Sequence, residues 1–221
     1  MRPVTRGDAP PGATTYEEMR PALFDHLGRY CSYCEYPVKH VPHAEHVIPK
    51  ARFPEWRDRW ENLLVSCTYC NGHKGDARPE PAHVDDYLWP TRDNTARAFT
   101  YADIVPQIAA GLTRPVRDKA AMLRGMVRLG LPDDERANAR AETFVLAQSF
   151  FSRMGSAPDA ALLRETIIAL ALARGFFSIW MEVFATEALM RRALIDAFAG
   201  TAKDCFHPAS TLPVPRPGGH V

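Results

Sequence analysis

Residues 31–35 read Cys-Ser-Tyr-Cys-Glu and residues 67–71 read Cys-Thr-Tyr-Cys-Asn, two Cys-x-x-Cys pairs of the same spacing. One such pair suits a redox dithiol or plain buried thiols. Two copies in one short stretch point to a tetrahedral four-cysteine zinc site built from Cys31, Cys34, Cys67 and Cys70. The opening residues (MRPVTRGDAPPGATT) hold no apolar segment such as an export signal carries, so the expected location is cytoplasmic and disulfides are disfavoured. Cys205, the fifth cysteine, stands alone and reads as a small buried residue or a surface thiol.

Working outward, Tyr30 to Tyr36 forms the first knuckle, and a short helix is expected just before it at Pro21–Leu27, closed by Gly28. His40–Lys50 is extended in character, with Pro42 and Pro49 at its margins. The run ENLLVSCTYCNGHKGD brings an apolar piece into the second knuckle and then a helix beginning near Cys70. Strand, loop, strand and helix, stapled by one metal, therefore make up residues 15–83. Residues 1–14 read as a flexible arm, and residues 208–221 as a Pro/Gly-rich tail that trails over the surface.

Residues 84–207 read as a connector followed by an α-helical region. Apolar stripes at helical spacing mark Arg117–Gly130, Asp133–Met154, a third helix capped by Ser156 and ended by Gly175, and a fourth over Ser178–Ala199. These faces are most simply a core. The apolar stretch Ile167–Ala185 is about long enough to span a bilayer. It contains Arg174, Gly175 and Glu182, however, and reads as buried core with no membrane partner. The fold class is α+β, mostly α. Lys plus Arg number 27 and Asp plus Glu 26, a formal charge of +1, which excludes a protein that coats nucleic acid by bulk charge alone.

Between the knuckles lies Ala44-Glu45-His46-Val47-Ile48-Pro49-Lys50, then Trp60-Glu61-Asn62-Leu63-Leu64, and after the last paired cysteine come Asn71, His73, Lys74 and Gly75. In this order they resemble the HNH endonucleases of the His-Me finger superfamily, whose ββα-metal finger the segment would form. The resemblance covers roughly residues 30–76 and implies a phosphodiester hydrolase acting on DNA. It makes His46 the general base, a role that suits an imidazole with a pKa near working pH. Glu45 and Asn71 would hold one catalytic magnesium or manganese ion, since a carboxylate and an amide oxygen suit a hard cation. Asn62 would brace the loop that aims His46, and the zinc would keep the finger in shape. Lys74, Lys50 and Arg52 are the candidate phosphate contacts. Residues two apart on a helix point to different faces, so Asn71 is preferred as ligand, with His73 in reserve. The family more often has Asp or His where Glu45 stands.

Within that group the chain looks like the nuclease subunits of bacterial anti-phage systems of the Septu type, including those attached to retrons. The likeness runs through Cys31–Glu35, Glu45-His46 with Pro49-Lys50, Trp60–Leu64, Cys67–Asn71 with Lys74-Gly75, and more loosely Gly200-Thr201 and Asp204-Cys205-Phe206. It implies an ATPase partner of the ABC or SMC-like AAA type, docked on the helical region. The other reading is a non-catalytic zinc-finger module that binds nucleic acid or serves as an adaptor.

Overall fold

The computed structural model of the 221-residue chain describes residues 1–76, 78–101, 105–131, 135–154 and 159–221. The architecture is mixed and mostly helical, as its sequence leads one to expect. Helix α1 (Tyr16–Leu27) begins five residues earlier than Pro21 alone suggests. Its start is set by a capping box: Thr15 accepts from the Glu18 backbone, and the Glu18 carboxylate reaches back to the Thr15 N–H at 3.1 Å. Pro21 then sits inside the helix, and Gly28, at φ 71°, ends it.

The finger follows. Strands β1 (His43–His46) and β2 (Leu63–Ser66) pair antiparallel, with Glu45 opposite Leu64 and His46 opposite Leu63. Helix α2 (Thr68–Lys74) starts directly at the second knuckle, because the Cys67 sulfur accepts from the Cys70 backbone N–H and so serves as its N-cap. A short helix α3 (Thr95–Ala98) leads into a second small hairpin, β3 (Phe99–Thr100) with β4 (Gln107–Ile108). The helical part comprises α4 (Arg114–Met126), α5 (Glu135–Phe151), α6 (Ala160–Arg174), α7 (Phe177–Val183) and α8 (Ala188–Ala197). Ser156, the expected cap of the third long helix, lies outside the described residues; Asp159 caps α6 through bonds to the Ala161 and Leu162 N–H groups.

One long helix over Ser178–Ala199 is not what forms. The chain breaks into α7 and α8 around Phe184–Glu187. The break lets Trp180 and Phe184 pack towards α5 while Met190, Leu194 and Ile195 close from α8, all of them fully buried in one cluster. A straight helix would have carried one of these sets away from the core.

The core does not divide at residue 83. Leu123, Val127 and Leu129 of the α4 segment, and Tyr87, Leu88 and Trp89 before it, join Leu23, Leu27, Leu63, Leu64 and Val65 in the finger's own cluster. The second cluster belongs to α5 through α8. The expected loose arm is also corrected at its first residues: Met1 and Val4 are fully buried, and Val4 donates to the Pro90 carbonyl at 2.7 Å. Likewise the tail is pinned, with the Val221 carbonyl accepting from Asn94 at 2.9 Å and the His220 N–H donating to Asp93. These ends satisfy backbone groups that would otherwise be orphaned inside the protein.

Glu35, at φ 66°, joins the first knuckle to the helices. Its carboxylate accepts from the Arg2 N–H and from both the N–H and the hydroxyl of Ser178. Gly175 allows this approach, since a Cβ there would meet the Glu35 carbonyl at 2.6 Å.

Candidate active site and metal centre

The four paired cysteines are buried, and their sulfurs all lie within 4.8 Å of one another. Cys34 and Cys67 are 3.7 Å apart, and a tetrahedron of Zn–S bonds of about 2.3 Å places sulfurs roughly 3.8 Å apart. The cluster is thus suited to a structural zinc ion. Bonds from its three neighbours hold the Cys67 thiol far below the ordinary range, while burial first of all pushes Cys34 and Cys70 well up. Such a cluster strongly favours a dication that would let all four sulfurs ionise. Arg136 of α5 braces it from outside: Nη1 lies 3.1 Å from the Cys70 sulfur and also donates to the Val127 carbonyl, and Nη2 donates to the Arg128 carbonyl at 2.8 Å. The guanidinium stacks 3.9 Å from the Tyr69 ring.

On the other side of the hairpin is a cavity of about 350 Å³ whose walls include Glu45, His46, Lys50, Asn71 and Lys74. Adjacent strand residues face opposite ways, yet Glu45 and His46 both reach it, because His46 is the last residue of β1. Beyond the strand the chain turns at once, and Asn62 holds that turn. Its Oδ1 accepts from the Ile48 N–H at 2.7 Å, and its Nδ2 donates to the Ile48 and Trp56 carbonyls at 2.9 and 2.8 Å.

One ring nitrogen of His46 lies 2.9 Å from the Arg57 carbonyl, and Tyr16 meets the ring edge-on at 4.9 Å. A carbonyl only accepts, so that nitrogen carries the proton and the other keeps its lone pair. Burial, helped by the charges of Lys50 and Lys74, holds the imidazole below the ordinary histidine value, against the pull of the Arg57 carbonyl and Glu45. At neutral pH it is an uncharged base.

Glu45 is buried and doubly engaged. Tyr33, inside the first knuckle, donates its hydroxyl to Oε2 at 2.6 Å, and the Lys74 ammonium stands 2.8 Å from Oε1. Burial, then the Glu45 charge, pushes the Tyr33 phenol well above its usual value, so it stays a donor. Lys74 also donates to the His46 carbonyl at 2.7 Å. Its ammonium is therefore engaged inside the protein and not held out toward solvent. Lys50 lies on the cavity rim with Nζ 3.8 Å above the Tyr16 ring. Arg52 points away and pairs with Glu80 at 2.7 Å.

The structure separates the preferred ligand at the end of the motif, Asn71, from the reserve, His73. Asn71 faces the cavity with Glu45, whereas His73 packs against Tyr69 at 4.2 Å and lines a neighbouring trough. A carboxylate and an amide facing one cavity are the donors a hard divalent ion takes. Both Glu45 oxygens already have partners, Lys74 on Oε1 and Tyr33 on Oε2, so an ion bound there would compete with the Lys74 ammonium.

Tyr16, Tyr33 and Arg136 were invisible to motif reading. Tyr16 and Arg136 come from helices far away in sequence.

The HNH endonuclease family matches residues 31–77. The chain is also 38% identical over 85 residues to the Septu protein PtuB of Bacillus thuringiensis, a match covering 36% of this chain and 32% of that protein. The chain therefore spans about a third of the length of the relative it matches. No solved structure matches it. Residues 31–77 are an HNH, or His-Me finger, nuclease domain carrying a four-cysteine cluster able to hold a metal, with weak homology to PtuB. Among the described residues, no helix is long and apolar enough to cross a membrane.

Proposed function

We propose that this protein is a metal-dependent endonuclease that hydrolyses DNA phosphodiester bonds. The observation that carries this reading is the placement of His46. One ring nitrogen is anchored on the Arg57 carbonyl, and the ring is set in the wall of a cavity shared with Glu45 and Asn71. His46 takes a proton from the attacking water with its free ring nitrogen, becoming an imidazolium that Glu45 nearby stabilises. Asn62 keeps the loop after β1 from relaxing, so the ring stays aimed. A magnesium or manganese ion held by Glu45 and Asn71 would supply charge neutralisation at the scissile phosphate. Lys74 holds Glu45 Oε1 and would compete with such an ion for it, and Lys50 offers a cation at the cavity rim.

The chain acts in an anti-phage defence complex, a role supported by the likeness to PtuB and by the HNH domain. We place an ABC or SMC-like AAA ATPase at its helical region, because a chain of net charge +1 gains substrate by being presented with it.

The test is nicking of supercoiled plasmid by the purified chain with magnesium or manganese. His46→Ala is expected to lose cleavage while keeping its fold and zinc. Wild-type cutting by that variant would remove the assignment. The adaptor reading is favoured by one observation, the Lys74 ammonium seated on the carboxylate that would bind the ion. It predicts DNA binding with no nicking under either metal.

A further inference from the structure

We propose that the outer face of α4, together with Arg78, is a track for the nucleic-acid backbone that continues the catalytic cavity and carries phosphates leading away from the cleavage point. The inference rests on the nuclease reading of that cavity and extends it to a helix outside the matched domain.

Arg114, Arg117, Ala121, Arg124 and Arg128 recur at intervals of three and four, which puts them on one face of the α4 segment. The opposite face, Ala120, Leu123 and Val127, is fully buried in the finger's core. The basic face therefore points outward, and it is not an amphipathic accident on an unattached helix. From Arg117 to Arg124 the helix rises about 10 Å, roughly three base steps of B-DNA.

The cavities connect this face to the chemistry. A trough of about 400 Å³ is bounded by His73, Lys74, Arg78 and Arg128, with Gly125 on its floor. It shares Lys74 with the catalytic cavity. A further recess bounded by Arg124 and Arg128 shares Gly125 with the trough. Nothing lies within 4 Å of the position a Cβ would take on Gly125, so a backbone can approach closely there.

Several exposed cations elsewhere are matched, as in Arg52–Glu80, Arg57–Glu17 and Arg174–Glu142. Among the described residues, no carboxylate lies within ion-pair distance of Arg78, Arg124 or Arg128, and the Arg124 Nε is buried without a partner. Among the described residues, three carboxylates near the track have partners of their own: Glu80 with Arg52, Asp86 with His83 and Asp118 with Arg114. In a chain of net charge +1, three guanidinium groups without a carboxylate partner around two adjoining recesses make a local positive field. Arg136 also fixes the track to the finger, since it bonds the Cys70 sulfur and the Val127 and Arg128 carbonyls together. The zinc cluster thereby sets the distance between cleavage site and track. A phosphate backbone is favoured over an acidic protein because the line of cations begins at the cavity where a phosphodiester must lie.

The test uses the full chain with Arg78→Gln, Arg124→Gln and Arg128→Gln combined. The control removes the same charge far away, with Arg153→Gln, Arg174→Gln and Lys203→Gln. Binding is read by anisotropy of a fluorescein-labelled 30-base-pair duplex in a His46→Ala background between 50 and 200 mM salt. Catalysis is read on bis(p-nitrophenyl) phosphate with His46 intact. The track variant is expected to bind the duplex about tenfold or more weakly, with a salt slope lower by about two to three. Its hydrolysis of the small diester should equal wild type, and the control should shift neither reading. Wild-type affinity and slope in the track variant overturn the proposal. So does a parent chain that binds no DNA, or that binds poly-glutamate more tightly than the duplex. If Arg124→Gln lowers the melting temperature or zinc content, the Arg78→Gln, Arg128→Gln pair decides, with an expected slope change of about two. Failure of the nuclease reading shows separately, as a wild-type chain that hydrolyses neither plasmid nor the small diester while the anisotropy result stands.

Discussion

The Lys74 ammonium lies 2.8 Å from Glu45 Oε1, and both side chains are almost wholly buried, at 2% and 1% exposure. The pair ties the end of α2 to β1 across the cavity, and a second bond from Lys74 to the His46 carbonyl makes the tie rigid. Breaking a buried pair leaves one charge uncompensated, at a cost of about 3–5 kcal/mol. Lys74→Met is therefore expected to lose that order of stability in urea unfolding. Adding Glu45→Gln to it should restore a large part. If the double variant loses the sum of the two single losses, the residues are not coupled and the pair has no structural role.

Asn62 makes three hydrogen bonds to the backbone on either side of the loop that follows His46. Asn62→Ala leaves the Ile48 N–H and two carbonyls without that partner, at about 1–3 kcal/mol. Because the loop also carries the Arg57 carbonyl that anchors His46, cleavage should fall more than DNA affinity does. The comparison of kcat with KM checks this. A variant that loses affinity and keeps kcat would show Asn62 to be a substrate contact and not a brace.

The zinc cluster predicts a thiol count. The chain has five free cysteines, all buried. Native protein is expected to contain one zinc per chain and to react with none of its thiols at pH 8. Burial pushes the Cys205 thiol up to about 12, so it stays protonated there. A chelator should expose the four finger thiols together and unfold the finger, because structural metal affinity is folding free energy. Cys67→Ser should reproduce the unfolding. Reaction of a single thiol in the native state, with zinc retained, would contradict the burial of Cys205.

Much of this was legible in the sequence. Identical Cys-x-x-Cys spacings marked the cluster, and Glu45, His46 and Asn71, read together from the sequence, line one cavity. The start of α1 was also written, as Thr15 and Glu18, although Pro21 is the more conspicuous punctuation. The Lys74–Glu45 pair, the Tyr33 hydroxyl and the Arg136 brace were not legible, since each depends on two elements meeting. The sharing of one core by α4 and the finger has the same cause: an apolar stripe says that a face is buried, not against what. Residues 1–4 carry too little pattern to announce their burial.

The last prediction concerns pH. His46 titrates below the ordinary histidine value of 6.5, chiefly through burial, with Lys50 and Lys74 adding to the shift. A base needs the neutral form, so the acid limb of the cleavage profile should lie lower than a free imidazole allows. Lys50→Ala removes one of the cations that depress His46, and the limb should move up in pH. The same shift bears on stability. Below 6.5 the unfolded chain takes up a proton that folded His46 refuses, so this contribution is lost as pH falls through 6.5 toward the folded value. NMR titration of ring-labelled histidine in the zinc-loaded chain, without magnesium or manganese, measures the value directly. A midpoint at or above 6.5, or a Lys50→Ala midpoint lower than wild type, would mean that burial and the two lysines do not set the protonation of this ring.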